Sequence, residues 1–198
     1  MTYGTYPQDK VEDEALITIL DSLPTLEENG WYKYENRYYA KISQGNWYKC
    51  TRVKWLILSY NGNVYNVYCD MCFYKTKYSE RNLALEHVYS NVFSLDNSCI
   101  GSIDGMNYLT VGEANGFDVE TRKCGISQYT SAVHGGSSYW SGYTEQSGSS
   151  VGGVWHYYYH SIKAATGATS NSGGTSTKPD QYSSEYLNRP AAVFTIGD

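Results

Sequence analysis

A chain of 198 residues is long enough to bury a core without disulfide or metal staples. Its net charge of −5, with no Lys/Arg cluster, excludes the electrostatic footprint of a general nucleic-acid binder or of a protein drawn to anionic membranes. No stretch approaches the roughly 18 apolar residues of a spanning helix, and Met1-Thr2-Tyr3-Gly4 lacks the charged start and apolar run of a secretory signal. The expectation is one soluble domain over residues 1–198, without membrane insertion.

The first predicted element is a short edge strand, Tyr3 to Gln8, because Pro7 cannot donate a ladder hydrogen bond. A helix follows: Ala15, Leu16, Ile19, Leu20 and Leu23 recur at helical spacing, Asp13 caps, Glu14 suits the first turn and Pro24 stops it. From Trp31 the period changes to that of strands. Trp31 to Tyr34 and Arg37 to Ile42 flank a turn at Glu35-Asn36, and a Gln44-Gly45-Asn46 turn leads into Trp47 to Leu58. Asn61-Gly62 reads as a type I′ hairpin signal before the strand Val64 to Cys69. Ser79 caps a second helix spanning Glu80 to Phe93, with Leu83, Leu85, Val88, Tyr89, Val92 and Phe93 as its apolar members. Tyr108 to Val111 reads as a strand, and Gly112 to Phe117 as a short helical turn.

Past Val133 the composition shifts to Gly, Ser, Thr and Asn, with aromatics interleaved at Tyr139, Trp140, Tyr143, Trp155 and Tyr157 to Tyr159. Bulky aromatics are unusual in linkers, and the apolar run Ala191 to Ile196 must return to the core, so residues 134–180 are predicted to be long ordered loops on a rigid sheet. The fold class predicted is α+β, with twisted antiparallel sheets, two helices and long C-terminal loops.

Tyrosine dominates the composition, with 22 Tyr and 5 Trp against 4 Phe. Tyr gives wide contact area with few rotatable bonds and a polar tip, the reason binding surfaces are rich in it. The expected contact residues are Trp140, Tyr143, Trp155, His156, Tyr157, Tyr158, Tyr159, His160, Asn171 and Tyr182. In a strand, neighbours in that run point to opposite faces, so about half of Trp155 to His160 would be exposed.

Residues that could carry chemistry are weaker signals. Cys50, Cys69, Cys72, Cys99 and Cys124 are odd in number and irregular in spacing, which predicts reduced thiols rather than a disulfide framework. Cys69-Asp70-Met71-Cys72 has redox spacing but ends a strand-like run instead of opening a helix. His156 and His160 have metal-ligand spacing without a nearby carboxylate. Ser127, Ser161, His134 and Asp180 include the residue types of a hydrolase, but no motif links them. The sequence therefore predicts no enzyme, no catalytic residue, no metal and no cofactor.

Several blocks recur in an order that resembles a known family: Tyr3 to Gln8 with Val11 and Asp13, Trp47 to Cys50 with Val53 to Leu58, the helix Ser79 to Phe93, Leu109 to Ala114, and Arg189 to Val193. Together they resemble the Tyr-rich surface domains of gut bacteria and their phages, which are similar to the formylglycine-generating-enzyme branch of the C-type-lectin-like fold. The resemblance covers nearly the whole chain. It implies long loops ahead of a closing strand, and it is similar to the variable proteins diversified by retroelements, whose mutable positions precede such a strand. Residues His156 to Tyr182 are rich in the types that adenine-directed mutagenesis of Asn codons produces. The chain departs from the family where a Trp-Trp-Leu-Arg-Ser block is replaced by Val154 to Ser161, without its Arg. It also has no cysteine after Cys124, whereas the enzymes hold copper on a C-terminal cysteine pair. Lys178-Pro179-Asp180 only partly resembles the calcium motif of lectins of this fold.

What the resemblance implies is recognition of a protein or glycan ligand on a cell surface, by a phage virion or bacterial surface protein. The alternatives are a structural or assembly protein of such a particle, and a formylglycine-generating-type enzyme with a relocated site dependent on Cys69 and Cys72. A cytoplasmic location stays open.

Overall fold

The computed structural model describes residues 1–24, 31–93, 99–100, 105–151, 154–170 and 185–197, with the backbone alone described for 111, 141–151, 154–160 and 170. The chain is α+β, with two mainly antiparallel sheets and five α-helices among the described residues.

Strand β1 (Thr2–Lys10) lies against β4, with Pro7 opposite Cys50 and Gln8 Nε2 donating to the carbonyls of Thr51 and Arg52. The first helix, α1 (Glu14–Asp21), starts where Asp13 accepts from the amides of Ala15 and Leu16 at 2.9 and 3.2 Å, which satisfies two of its orphan donors. Its last residue, Asp21, accepts from Trp47 Nε1 at 2.8 Å and from Lys41 Nζ at 2.6 Å, tying the helix to the sheet. Strands β2 (Tyr32–Tyr34) and β3 (Arg37–Lys41) form a hairpin, and Glu35 takes the left-handed backbone its turn requires, with φ 53°.

Strand β4 (Trp47–Asn61) is the spine of the first sheet. Its first half pairs with β1 and β3, and its second half with β5 (Val64–Cys69). Asn61 pairs with Val64, so the hairpin loop is Gly62-Asn63, not the predicted Asn61-Gly62. Gly62 has φ 59° and Asn63 has no positive φ, the sign pattern of a type II′ turn with Gly first.

Strand β6 (Met71–Lys77) passes to the second sheet. The predicted second helix is a composite: a 3₁₀ turn over Tyr78–Glu80, α2 (Arg81–His87) and a π turn over Val88–Val92. Ser79 is not its cap, since the 3₁₀ turn absorbs it, and Leu83 is exposed while Ala84, Leu85, Val88 and Val92 are buried. The wider π turn shifts the apolar stripe and keeps Val88 and Val92 in the core.

The strand expected at Tyr108 to Val111 is instead β7 (Met106–Asn107) followed by α3 (Val111–Gly116). Thr110 and Glu113 form a capping box: the Glu113 amide donates to Thr110 Oγ1, and the Thr110 amide to Glu113 Oε2. Two short helices not foreseen are α4 (Val119–Arg122), capped by Asp118, and α5 (Gln128–Val133), capped by Ser127, with β8 (Gly125–Ile126) between them.

The predicted long loops are largely strands. A hairpin of β9 (Ser138–Val151) and β10 (Val154–Lys163) is followed by β11 (Thr169–Ser170), while 171–184 lie outside the described residues. The closing strand is split into β12 (Glu185–Asn188) and β13 (Ala191–Thr195). The split moves the chain from one sheet to the other: β12 pairs with β6 and β9, β13 with β5 and β7. The strand orders are β2-β3-β4-β5-β13-β7, with β1 also on β4, and β11-β10-β9-β12-β6-β8.

The larger core cluster gathers Tyr6, Val53, Trp55, Phe73, Val88, Phe93 and Phe194. A second cluster contains Tyr68, Cys72, Tyr139, Ile162 and Leu187, beneath the base of the β9–β10 hairpin. No helix among the described residues is long and apolar enough to cross a membrane.

Candidate binding site

The aromatic run that the sequence singled out is β10, and its register shows how it is held. Tyr159 stands opposite Thr144, Tyr158 opposite Glu145, Tyr157 opposite Gln146 and His156 opposite Ser147. Among the described residues no third strand pairs with this section. Strand β11 joins β10 only at Ser161 and Ile162, and β12 meets β9 only at Tyr139. From Thr144–Tyr159 to Val151–Val154 the ladder is a two-stranded ribbon, roughly 24 Å long at a rise of about 3.4 Å per residue. Tyr143, Trp155, His156, Tyr157, Tyr158, Tyr159 and His160 all belong to the backbone of this hairpin. Asn171 and Tyr182 lie outside the described residues.

Trp140 corrects the expectation. It is only 1% exposed, and so belongs to the support and not to a contact surface. Its Nε1 donates to the Thr76 carbonyl at 2.8 Å, and its ring is edge-on to Tyr186 and Tyr78 at centroid distances of 4.6 and 5.4 Å. Arg81 stacks its guanidinium on Tyr78 from the helix side, 3.7 Å from the ring centre. Tyr139 and Trp140 are adjacent in β9 and both buried, so both faces of the strand are covered where the ribbon enters the sheet.

The residue sequence reasoning missed is Arg189. It is fully buried at the crossing between β12 and β13. Its Nε donates to the Cys69 carbonyl at 2.5 Å and its Nη2 to the Thr121 carbonyl at 3.1 Å. Nη1 donates to the Arg122 carbonyl at 2.8 Å and to the Tyr139 hydroxyl at 3.0 Å. The planar fork thus joins β5, α4 and the base of β9, which a Lys point charge could not do. Among the described residues no carboxylate faces it, and its charge is balanced by carbonyl dipoles and the Tyr68 ring. Asn188 makes the neighbouring tie, donating from Nδ2 to the Tyr74 carbonyl and Thr76 Oγ1 at 2.6 and 2.9 Å. The available signal was an Arg inside an otherwise apolar closing run, directly before Pro190.

The groups that could carry other chemistry are scattered. Cys69 and Cys72, the pair suggested by spacing, sit in different core clusters, and Cys69 Sγ faces the Lys54 carbonyl. Burial pushes both thiols up, away from the reactive thiolate. Cys72 instead contacts Cys124. His134 is half-buried, and burial followed by the nearby Lys75 and His87 lowers its pKa; Ser127 is engaged in capping α5. No group of three or more His, Cys, Asp or Glu suited to a metal occurs among the described residues. A cleft of about 530 Å³ opens between β1, β3 and β4, lined by Arg37, Tyr38, Lys49, Thr51 and Arg52.

Comparison of the chain with protein-family models, with curated proteins and with solved structures finds no match in any of the three.

Proposed function

We propose that this chain is a recognition protein, which presents the Tyr-rich β9–β10 ribbon to a protein or glycan ligand on a cell surface from a C-type-lectin-like scaffold. The observation that carries this reading is the ribbon itself. The densest aromatic run of the sequence occupies a two-stranded ladder whose base is locked by Arg189 and Trp140. A two-stranded ribbon is marginal alone, so so large an investment in anchoring it favours a role beyond the fold. Tyr and Trp would supply the anchors, and the Ser, Thr, Asn and Gln around them adaptable hydrogen bonds. Two antiparallel sheets with helices, and a long excursion before the closing strands, support the scaffold assignment. On this reading the protein serves phage receptor binding or bacterial surface adhesion, with residues 156–182 as the positions a diversifying retroelement would vary. A near-copy of the codons for residues 154–190 beside a reverse transcriptase gene is the expected genomic sign; neighbouring DNA without either removes the diversification part.

The test of recognition is binding of the purified protein to a glycan array and to intact gut-bacterial cells, beside a variant with Trp155, Tyr157 and Tyr159 changed to Ala. Binding by the wild type that a folded variant lacks is the expected result. Equal binding by both would remove the ribbon from the recognition surface.

A further inference from the structure

Cys72 and Cys124 are 52 residues apart in sequence, yet their sulfurs are in contact at 2.8 Å. Cys72 lies on β6 and Cys124 immediately precedes β8, its parallel neighbour, with Cys72 opposite Ile126 and Met71 opposite Gly125. The backbone on both sides of the contact is pinned. The Cys124 amide donates to the Ala164 carbonyl at 3.1 Å, the Gly125 amide to the Asp70 carbonyl at 2.9 Å, and Thr130 Oγ1 reaches the Cys72 carbonyl. Two thiols held this way need little backbone movement to be joined, the usual obstacle to a disulfide. The other three cysteines are placed differently: Cys50 and Cys69 are buried elsewhere, and Cys99 lies beside the larger cluster.

We propose that Cys72 and Cys124 form an intramolecular disulfide when the chain meets a low-molecular-weight disulfide oxidant, so that this pair is a covalent modification site at the base of the binding ribbon. Cys124 is the more accessible thiol, and as thiolate it attacks the oxidant, forming a mixed disulfide and releasing one oxidant thiolate. The Cys72 sulfur then attacks the Cys124 sulfur and expels the second thiolate, while its proton passes to a released thiolate or to water. Two protein thiols are oxidised, and one small disulfide is reduced to two thiols. Burial raises the pKa of the Cys72 thiol, and the nearby positive charge of Arg189 acts against that rise in the second step. Cys72 packs with Tyr139 and Ile162, which are residues of β9 and β10, so the cross-link would fasten the ribbon's foundation to the α4–β8 connection. The proposal stands on the thiol geometry and does not depend on what the ribbon binds.

The experiment is equilibration of the full chain with oxidised glutathione or with dithiothreitol, followed by thiol titration in denaturant and peptide mapping. The expected result is a fall from five free thiols to three, with Cys72 and Cys124 in one linked peptide. A Cys69→Ser variant, starting from four thiols, falls to two, and a Cys124→Ser variant stays at four. The melting midpoint rises on oxidation in the wild type and in Cys69→Ser, and not in Cys124→Ser. Five persistent thiols, glutathione adducts alone, or a Cys69–Cys72 link would overturn the proposal.

Discussion

The guanidinium carbon of Arg189 stands 3.6 Å from the centre of the Tyr68 ring, a stacked cation–π contact inside the protein. The same guanidinium bonds to three backbone carbonyls and to the Tyr139 hydroxyl. One side chain therefore sets the distance between the two sheets at the point where the chain passes from β12 to β13, and braces the strand that carries the ribbon.

Replacing Arg189 with Met removes a donor from the Cys69 carbonyl and from the partly buried carbonyls of Thr121 and Arg122, the last of which keeps the Tyr139 hydroxyl, at about 1–3 kcal/mol for each group left unsatisfied. The expected loss is about 3–5 kcal/mol, or a melting midpoint lower by roughly 6–20 °C in a chain of this size. Arg189→Lys keeps the charge but not the fork, and is expected to recover only part of the loss. Chemical denaturation of the two variants checks the order, and equal stability of Lys and wild type would refute the bridging role.

Trp140→Ala is expected to cost about 3–5 kcal/mol, the range for removing a large buried aromatic side chain. Trp140→Phe keeps most of the packing with Tyr78 and Tyr186 but strands the Thr76 carbonyl, for a smaller loss of about 1–2 kcal/mol. On the proposed reading the buried Trp140 supports the ribbon from its base, so folded Trp140→Phe is expected to bind as the wild type does. A folded variant with wild-type stability and no binding would instead make Trp140 a contact residue.

His134 gives the fold an acid sensitivity. Burial lowers its pKa below the ordinary 6.5, with Lys75 and His87 acting in the same direction, and its Nε2 is buried without a hydrogen-bond partner among the described residues. Tyr74 contacts both imidazoles, its ring tilted against His87 and edge-on to His134 at centroid distances of 5.1 and 5.4 Å. Above pH 6.5 the imidazole is neutral in both the folded and the unfolded chain. As pH falls below 6.5 the unfolded state takes the proton first, so the stability contribution is full at higher pH and is lost toward acid. Melting midpoints from pH 7.5 to 5 should decline more steeply in the wild type than in His134→Gln; parallel slopes would rule His134 out as the cause.

Gly4 has φ +77°, and a β-carbon there would lie 2.7 Å from Val92 Cγ1 and 2.9 Å from the Val92 carbonyl oxygen. Gly4→Ala combines a strained backbone with overpacking against the π turn, and should destabilise by about 1–3 kcal/mol. Pairing it with Val92→Ala removes the side-chain clash and is expected to lessen the penalty, which a double-mutant cycle measures.

The elements that were legible from sequence are those with local signals. Asp13 caps α1 as its position predicts, and Pro7 marks an edge strand. The errors arose where tertiary context decided. Tyr108 to Val111 reads as a strand through its β-branched Thr and Val, yet Thr110 closes a capping box with Glu113 and Val111 opens α3, which otherwise matches the helical turn expected over Gly112 to Phe117. The strand character expected for Trp155 to His160 matches β10, but β9 falls within the loops predicted over 134–180 because Gly and Ser hide its period of two, and its pairing is visible only once β10 is set against it. Trp140 looked like a contact residue because its neighbours are polar, but Tyr78 and Tyr186, distant in sequence, cover it. Arg189 and the Cys72–Cys124 contact depend on segments some 50 to 120 residues apart, which no local pattern encodes.

The register allows the ribbon to be removed while its base is kept. Joining Thr144 to Tyr159, which stand opposite each other, through an Asn-Gly turn in place of residues 145–158 leaves Tyr139, Trp140 and Ile162 intact. The decisive measurement is binding of this trimmed protein, beside the wild type, to a glycan array and to intact gut-bacterial cells, with its melting midpoint as control. A melting midpoint within a few degrees of wild type, with loss of binding, is the expected result. Undiminished binding by the trimmed protein would place recognition elsewhere on the molecule and contradict the ribbon's role.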